Sequence, residues 1–174
     1  MHYHPHTVQA RTETALGPVR LAASPLGLCG VWFEGQRHEP LQTWPGQAGH
    51  PLLQQAALQL QQYLRGERGG FDLPLDLSGG TPFQQAVWRA LLAIGRGRTC
   101  SYGALSAQLG RPRAVRAVGA AVGRNPLSVV VPCHRVLGAD GSLTGYAGGL
   151  DRKTALLTLE NALPLPHPAQ KALA

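Results

Sequence analysis

Cys133, His134 and Arg135 stand in a row after Val129-Val130-Val131-Pro132, and no other stretch places a thiol beside both an imidazole and a guanidinium. A thiolate is the nucleophile of cysteine chemistry, and neighbouring cations lower a thiol's pKa from about 8.5. The three valines read as a short buried strand, because β-branched residues suit a pleated, packed surface. Pro132 ends that strand by removing a ladder donor. A cysteine at such a junction is held from behind and reachable from in front. The competing use of a free cysteine is as one more small buried hydrophobe. The stretch from Val129 to Val136 alone does not decide between the two.

Composition narrows the choice. The 174 residues, 44% of them hydrophobic, allow one large domain or two small ones with real cores. No apolar run approaches the roughly 18 residues of a membrane span. The N-terminal MHYHPHTVQARTE lacks the apolar centre of a signal peptide, so a cytosolic protein is expected. Cys29, Cys100 and Cys133 are odd in number and lack CxxC spacing, which argues against a disulfide framework or a zinc ribbon. The net charge of +7 is uneven: five Arg face six acids up to Gly80, whereas ten bases face three acids from Thr81 to Ala162. The basic excess shares a half with Cys133, and a polyanion is its natural partner.

The elements that must position these groups can be read in order. His2, His4 and His6 fit a frayed terminus better than a metal site. Segments 18–23 and 26–33 read as an antiparallel hairpin with Cys29 buried, and 34–50 as loop. Residues 51–65 form an amphipathic helix with Leu52, Leu53, Ala56, Leu60, Tyr63 and Leu64 on one stripe. Residues 71–77 alternate as a strand that Pro74 confines to an edge. This first unit shows no catalytic constellation. Ser78-Gly79-Gly80 is the joint. Thr81 and Gln84 make a capping box for a helix that runs to Gly95. Cys100 reads as packing. Ser101 caps a helix over 102–109, and a Gly110-Arg111-Pro112 turn leads to another over 113–122, a helix-turn-helix signature.

That third helix carries Ala114, Val115, Ala117, Val118, Gly119, Ala120 and Ala121, with only Arg113 and Arg116 protruding. A major-groove reader needs several polar side chains for base edges. A helix of small residues instead brings its backbone against a narrow surface such as a minor groove, with one Arg probing inward. Gly138–Gly141 reads as a hairpin turn, and Thr144–Gly149 as a Gly-rich loop around Tyr146 with room for a flat ligand. Asp151 caps a last helix over 152–161, whose Glu160 is by default a surface carboxylate. Pro164, Pro166 and Pro168 mark a tail over 164–174 without structure.

With PCHR at 132–135, SY at 101–102, RAVG at 116–119, NP at 125–126, GYAGG at 145–149 and LLTLE at 156–160, the chain resembles the O6-alkylguanine-DNA alkyltransferases. The likeness covers Thr81 to about Leu163 closely and the first half in outline. It implies an α+β protein: a ribonuclease-H-like α/β domain over 1–78 and a mostly helical, winged-helix-like DNA-binding domain over 81–163. It implies direct-reversal repair, with the alkyl group of O6-alkylguanine moved irreversibly to Cys133 after base flipping, O4-alkylthymine being left open. In this pattern His134 is the base, acting through a water, Glu160 orients it, Tyr102 donates toward the guanine, and Asn125 links the helices to the reactive loop. Arg116 replaces the extruded base in the stack. Arg113, Ser101, Ala114, Val115, Ala117, Arg124 and Arg135 contact DNA through its minor groove. The backbone at Cys133 and Val136 reads the guanine amino group, while Tyr146, Val122 and the Ala147 N–H line the pocket.

The pattern implies a monomer without cofactor. Some relatives hold a zinc in the N-terminal domain, but Ser24 and Cys29 stand where a Cys and a His would be, so that metal is not predicted. Ala147, Ser128 and Ala139 replace a Ser, a Pro and a Ser of human-like relatives near the pocket, which leaves the range of alkyl groups open. Two other classes compete. A thiol hydrolase would use Cys133 and His134 but leaves the basic half unexplained, and a transcriptional regulator would need a better base-reading helix.

Overall fold

In the computed structural model, which describes residues 1–163, three antiparallel strands form the first layer: β1 (Val8–Thr12), β2 (Val19–Ser24) and β3 (Gly27–Phe33), in that order across the sheet. The expected hairpin is β2–β3, and Cys29 is buried in it. Strand β1 was not expected. Its half-buried Val8 and Ala10 are too few to reveal a period of two, and its pairing with β2 is what orders it. Helix α1 (Pro51–Leu64) lays Leu53, Ala56, Leu60 and Tyr63 on the face carrying Leu21, Val31 and Phe33.

The opposite face holds Trp32, Trp44, Cys29 and Tyr3. The Tyr3 ring lies edge-on to Trp44 at 4.9 Å, and the His2 N–H donates to the Gly79 carbonyl. The terminus is therefore tied down rather than frayed. Residues 71–77 form no strand. Leu75 makes one isolated bridge to Leu28, because Pro74 offers only its carbonyl to the Leu28 N–H.

The second half starts at α2 (Pro82–Leu92), with the Thr81–Gln84 capping box formed on both sides; the helix stops before Gly95. Trp88 is fully buried, and its indole N–H donates to the Ala121 carbonyl at 2.9 Å. That bond pins α4 (Val115–Gly123) from behind. Helix α3 (Tyr102–Gln108) is capped by the Ser101 hydroxyl, which accepts from the Ala104 N–H. Helix α4 begins two residues later than expected, because Arg113 and Ala114 belong to the turn. Its inner face buries Val118, Ala121 and Val122, while Val115, Arg116, Ala117 and Ala120 are exposed.

Two short strands, β4 (Cys100–Ser101) and β5 (Val136–Leu137), pair in parallel and hold the start of α3 against the reactive segment. The turn at Gly138–Gly141 forms, but no returning strand follows it. The last helix, α5 (Leu150–Leu159), starts from Gly149 rather than from an Asp151 cap. The expected tail over 164–174 lies outside the described residues. One continuous hydrophobic core runs from Val19 and Leu21 through Trp88 and Val118 to Leu156, so the two halves share their interior.

The three valines are buried but not extended. Leu127 makes one bridge to Val31, and the chain then turns, with Val129 in the left-handed region at φ 71°. A β-branched residue is strained there. The expected strand fails because no neighbour offers a ladder beyond Leu127. The turn instead closes on itself through Val130 N–H to Ser128 and Val131 N–H to Leu127.

Candidate active site

Cys133 opens a single turn of 3-10 helix, Cys133–Arg135, directly after Pro132. Asn125, at the exit of α4, organises this turn with one side chain. Its Nδ2 donates to the Val131 carbonyl at 2.8 Å and to Cys133 Sγ at 3.1 Å, and its Oδ1 accepts from the Leu127 N–H at 3.0 Å. The thiol is only 5% exposed, but it lies on the wall of a pocket of about 330 Å³. Tyr102, Gly119, Val122, Arg124, Tyr146 and Ala147 share that pocket. Gly119 faces the Tyr102 ring, and a Cβ there would sit in ordinary contact with it at 3.7 Å. At Gly148 a Cβ would collide with Tyr146 at 2.7 Å, so only glycine admits the Tyr146 ring, which stands edge-on to His134.

His134 and Glu160 are fully buried, with His134 Nε2 and Glu160 Oε1 2.6 Å apart. Glu160 is thus no surface carboxylate. It also accepts from the Tyr63 hydroxyl at 2.5 Å and from Arg135 Nε at 2.8 Å. Burial works against its charge, but the hydrogen bonds from His134 and Arg135 hold its carboxyl down at about 2. An ionised carboxylate only accepts, so His134 Nε2 carries the proton. Burial, which outweighs the support of Glu160, lowers the imidazole below its usual range and keeps it neutral. Its Nδ1 is then a buried lone pair with no partner among the described residues, the form a general base requires.

Three expectations need correction. Arg135 does not reach DNA. It is 7% exposed and bound to Glu160, Tyr63 and the Ile94 carbonyl, because a buried carboxylate needs a countercharge. The Val136 carbonyl accepts from Lys153 Nζ at 2.6 Å with one of its two lone pairs. Neighbouring cations do not depress the Cys133 thiol below its ordinary range. Burial pushes it up, and Asn125 and Lys153 only oppose that, Arg135 being matched by Glu160. Glu160 is buried rather than exposed because Tyr63, His134 and Arg135 supply its oxygens with donors inside the protein.

The remaining site residues fall on two surfaces. Arg113, Val115, Arg116, Ala117 and Arg124 are exposed on or beside α4, with Ala114 and Ser101 half-buried next to them. Tyr102 is half-buried between this face and the pocket, and burial, with the nearby Cys133, pushes its hydroxyl up. It therefore stays protonated at neutral pH.

Residues that sequence reasoning missed are Tyr63, Lys153, Arg37 and His38. Lys153 is fully buried and donates to the carbonyls of Val136, Thr144 and Gly145, which ties the pocket loop to the reactive turn. Lys153, Leu156, Leu157 and Glu160 follow the i, i+3, i+4, i+7 spacing of a buried stripe, a signal that was present in the sequence. Ser24 and Cys29 do not form a zinc ligand set. The Ser24 hydroxyl donates to Asp76, and burial beside that carboxylate pushes the Cys29 thiol up to about 12. No group of three or more His, Cys, Asp or Glu side chains is placed to hold a metal ion, and no helix is long and apolar enough to cross a membrane, among the described residues.

Residues 82–162 match the family model described as 6-O-methylguanine DNA methyltransferase, DNA binding domain, and residues 8–77 match its ribonuclease-like domain. The methylated-DNA–protein-cysteine methyltransferase of Mycobacterium tuberculosis (strain H37Rv) is 48% identical over 86% of this chain and 90% of its own length. The inducible one of Bacillus subtilis is 42% identical over 80% of this chain and 86% of its own. A crystal structure of Mycobacterium tuberculosis OGT in complex with DNA superposes with a TM-score of 0.82 at 43% identity, covering 91% of this chain and 96% of that one. With both halves matched in order and the Cys133 turn in place, the chain belongs to the 6-O-methylguanine DNA methyltransferase family.

Proposed function

We propose that this protein repairs alkylated DNA by transferring the alkyl group of O6-alkylguanine to Sγ of Cys133, once per molecule. The observation that carries this reading is Cys133 on the wall of a base-sized pocket, beside a helix whose exposed face is almost all small residues. The sulfur attacks the alkyl carbon, a C–S bond forms, and the C–O6 electron pair leaves with the guanine. The thiol proton passes through one water to Nδ1 of His134, and the Glu160 carboxylate stabilises the imidazolium. Tyr102, protonated at neutral pH, donates to the departing guanine as its charge develops. The Ala147 N–H faces O6, and Tyr146 and Val122 wall the ring.

A stacked guanine cannot present its O6-alkyl carbon in line, so the base is drawn out of the duplex, which costs a few kcal/mol. The small-residue face of α4 enters the minor groove and Arg116 fills the gap. Arg113, Arg124 and the turn at Ser101 and Ala114 follow the backbone, with Val115 and Ala117 against the groove floor. The protein works as a monomer in the cytosol, where its thiols stay reduced. A thioether is a stable product, so the reaction runs once. Duplex DNA bearing O6-methylguanine should leave one methyl on Cys133 by intact mass and peptide mapping. Turnover beyond one equivalent, or a label on Cys29 or Cys100, would overturn the reading.

A further inference from the structure

The pocket wall includes two residues from the first half of the chain, Arg37 and His38, in the segment that joins β3 to α1. Their placement is built rather than incidental. The buried Gln36 side-chain Oε1 accepts from the Phe33 N–H and from the Ser128 hydroxyl, each at 3.0 Å, which stitches this segment to β3 and to the reactive turn. The Arg37 N–H donates to the Ala147 carbonyl at 3.0 Å. On the far side, the buried Arg20 guanidinium lies over Trp32 and Trp44, donates to the carbonyls of Pro40 and Gln42, and pairs with Glu39 at 3.0 Å. Between these anchors His38 takes a left-handed backbone with φ 64°, which residues with a side chain rarely adopt.

Charge on this segment is sorted in the same way. Glu34 pairs with Arg11 at 3.0 Å, and Glu39 with Arg20 and the Gly35 N–H. The Arg37 guanidinium has no hydrogen bond or ion pair among the described residues, and the same holds for Arg124, which lines the same pocket from the end of α4. The carboxylates are thus occupied, while two cations from opposite halves of the chain stand unmatched at one opening.

We propose that Arg37 and Arg124 form an oxyanion-binding rim that grips the phosphate of the nucleotide whose base enters the pocket. This rests on the base extrusion described above. An extruded base remains tethered to its backbone, so its own phosphate arrives at the pocket mouth with it. Guanidinium groups suit phosphate oxygens through their planar fork of donors. Because both cations stand at the pocket, they meet that phosphate together only while the nucleotide is out of the stack. The rim therefore favours the extruded state and leaves the transfer step alone.

Arg37→Ala should lose about ten-fold in alkyl-transfer rate on O6-methylguanine in duplex and in single-stranded oligonucleotides, the scale of one charge-assisted hydrogen bond. Its rate with O6-methylguanine as the free base, which carries no phosphate, should match the unaltered protein. Arg37→Lys should recover part of the loss, and the salt dependence of DNA binding by Arg37→Ala should be shallower by about 0.9 in log–log slope. Equal losses on DNA and free base would mean that Arg37 acts on the base or on the pocket's shape and would overturn the rim. Unchanged rates on DNA with an unchanged salt slope would overturn it as well. Failure of the unaltered protein to transfer at all would refute the repair function, and the rim with it.

Discussion

Replacing Glu160 by Gln keeps the side chain's size and removes its charge, and the structure fixes what that does. Oε1 now faces the Tyr63 hydroxyl, His134 Nε2–H and an Arg135 N–H, and Oε2 faces Arg135 Nε. A glutamine offers one accepting oxygen and places an NH2 against at least one of these donors. It also leaves the Arg135 charge buried without a counterion. Breaking one side of such a pair destabilises by roughly 3–5 kcal/mol, or about 6–20 °C in Tm for a chain of this size.

The pH dependence supplies an independent check. The Glu160 carboxyl lies near 2 when folded against an ordinary 4.5, so its charge stabilises the fold above pH 4.5 by at most about 3 kcal/mol. That contribution disappears as pH falls from 4.5 toward 2. The stability gap between wild type and Glu160→Gln should therefore be full at pH 6 and should narrow at pH 3.5, by urea titration. Transfer should slow as well, because in the proposed mechanism the carboxylate supports the imidazolium that His134 becomes. A variant with wild-type stability and rate at pH 7, or a gap that widens in acid, would refute this account of the buried network.

Arg116→Ala should slow repair of duplex DNA strongly and spare the free base, since only the duplex needs its gap filled; equal losses on both would remove Arg116 from that role. Arg113→Ala, tested beside it, should instead weaken binding to every sequence and flatten the salt dependence. Lys153→Met removes the donor that joins Val136 to Thr144 and should reduce transfer about ten-fold or more. Burial lowers the Lys153 ammonium to about 8 despite the nearby Cys133, so its unfolded form binds the extra proton between pH 8 and 10.5. Wild-type stability should gain from this group across that window and the Met variant should not; matching profiles in thermal melts would contradict the assignment.

The parts of the site that sequence reveals are local. The Cys133 turn, the Thr81–Gln84 cap and the small-residue face of α4 each lie within a dozen residues, where spacing and side-chain size carry the information. What sequence hides is set by contacts between distant segments. Tyr63 reads as one more apolar position on α1, and only the tertiary fold brings its hydroxyl to Glu160, 97 positions away. Arg135 adjoins Cys133 and reads as a surface cation, until a carboxylate from α5 draws it inward. The three valines carry the right burial and the wrong geometry, because strand propensity reports a fit to packed surroundings more than a backbone angle. Arg37 is invisible for the same reason as Tyr63: its segment reads as loop, and its address is fixed by Gln36 and Arg20.

These long-range contacts bear on how the thiol is activated. Burial raises the Cys133 thiol, and the obvious cation beside it, Arg135, is held by Glu160. In the proposed mechanism, activation therefore lies in where the proton goes when the sulfur attacks. The waiting acceptor is a neutral His134 whose Nε2–H already rests on an ionised carboxylate. Protonation of its Nδ1 creates an imidazolium next to a charge fixed in advance, with no side chain left to reorganise. Lys153 adds a positive charge that favours the developing thiolate while it ties Val136 to Thr144 and Gly145 through three carbonyls. A thiol kept protonated and 5% exposed until a base fills the pocket is shielded from solution electrophiles and oxidants. That protection matters for a residue the protein can use only once.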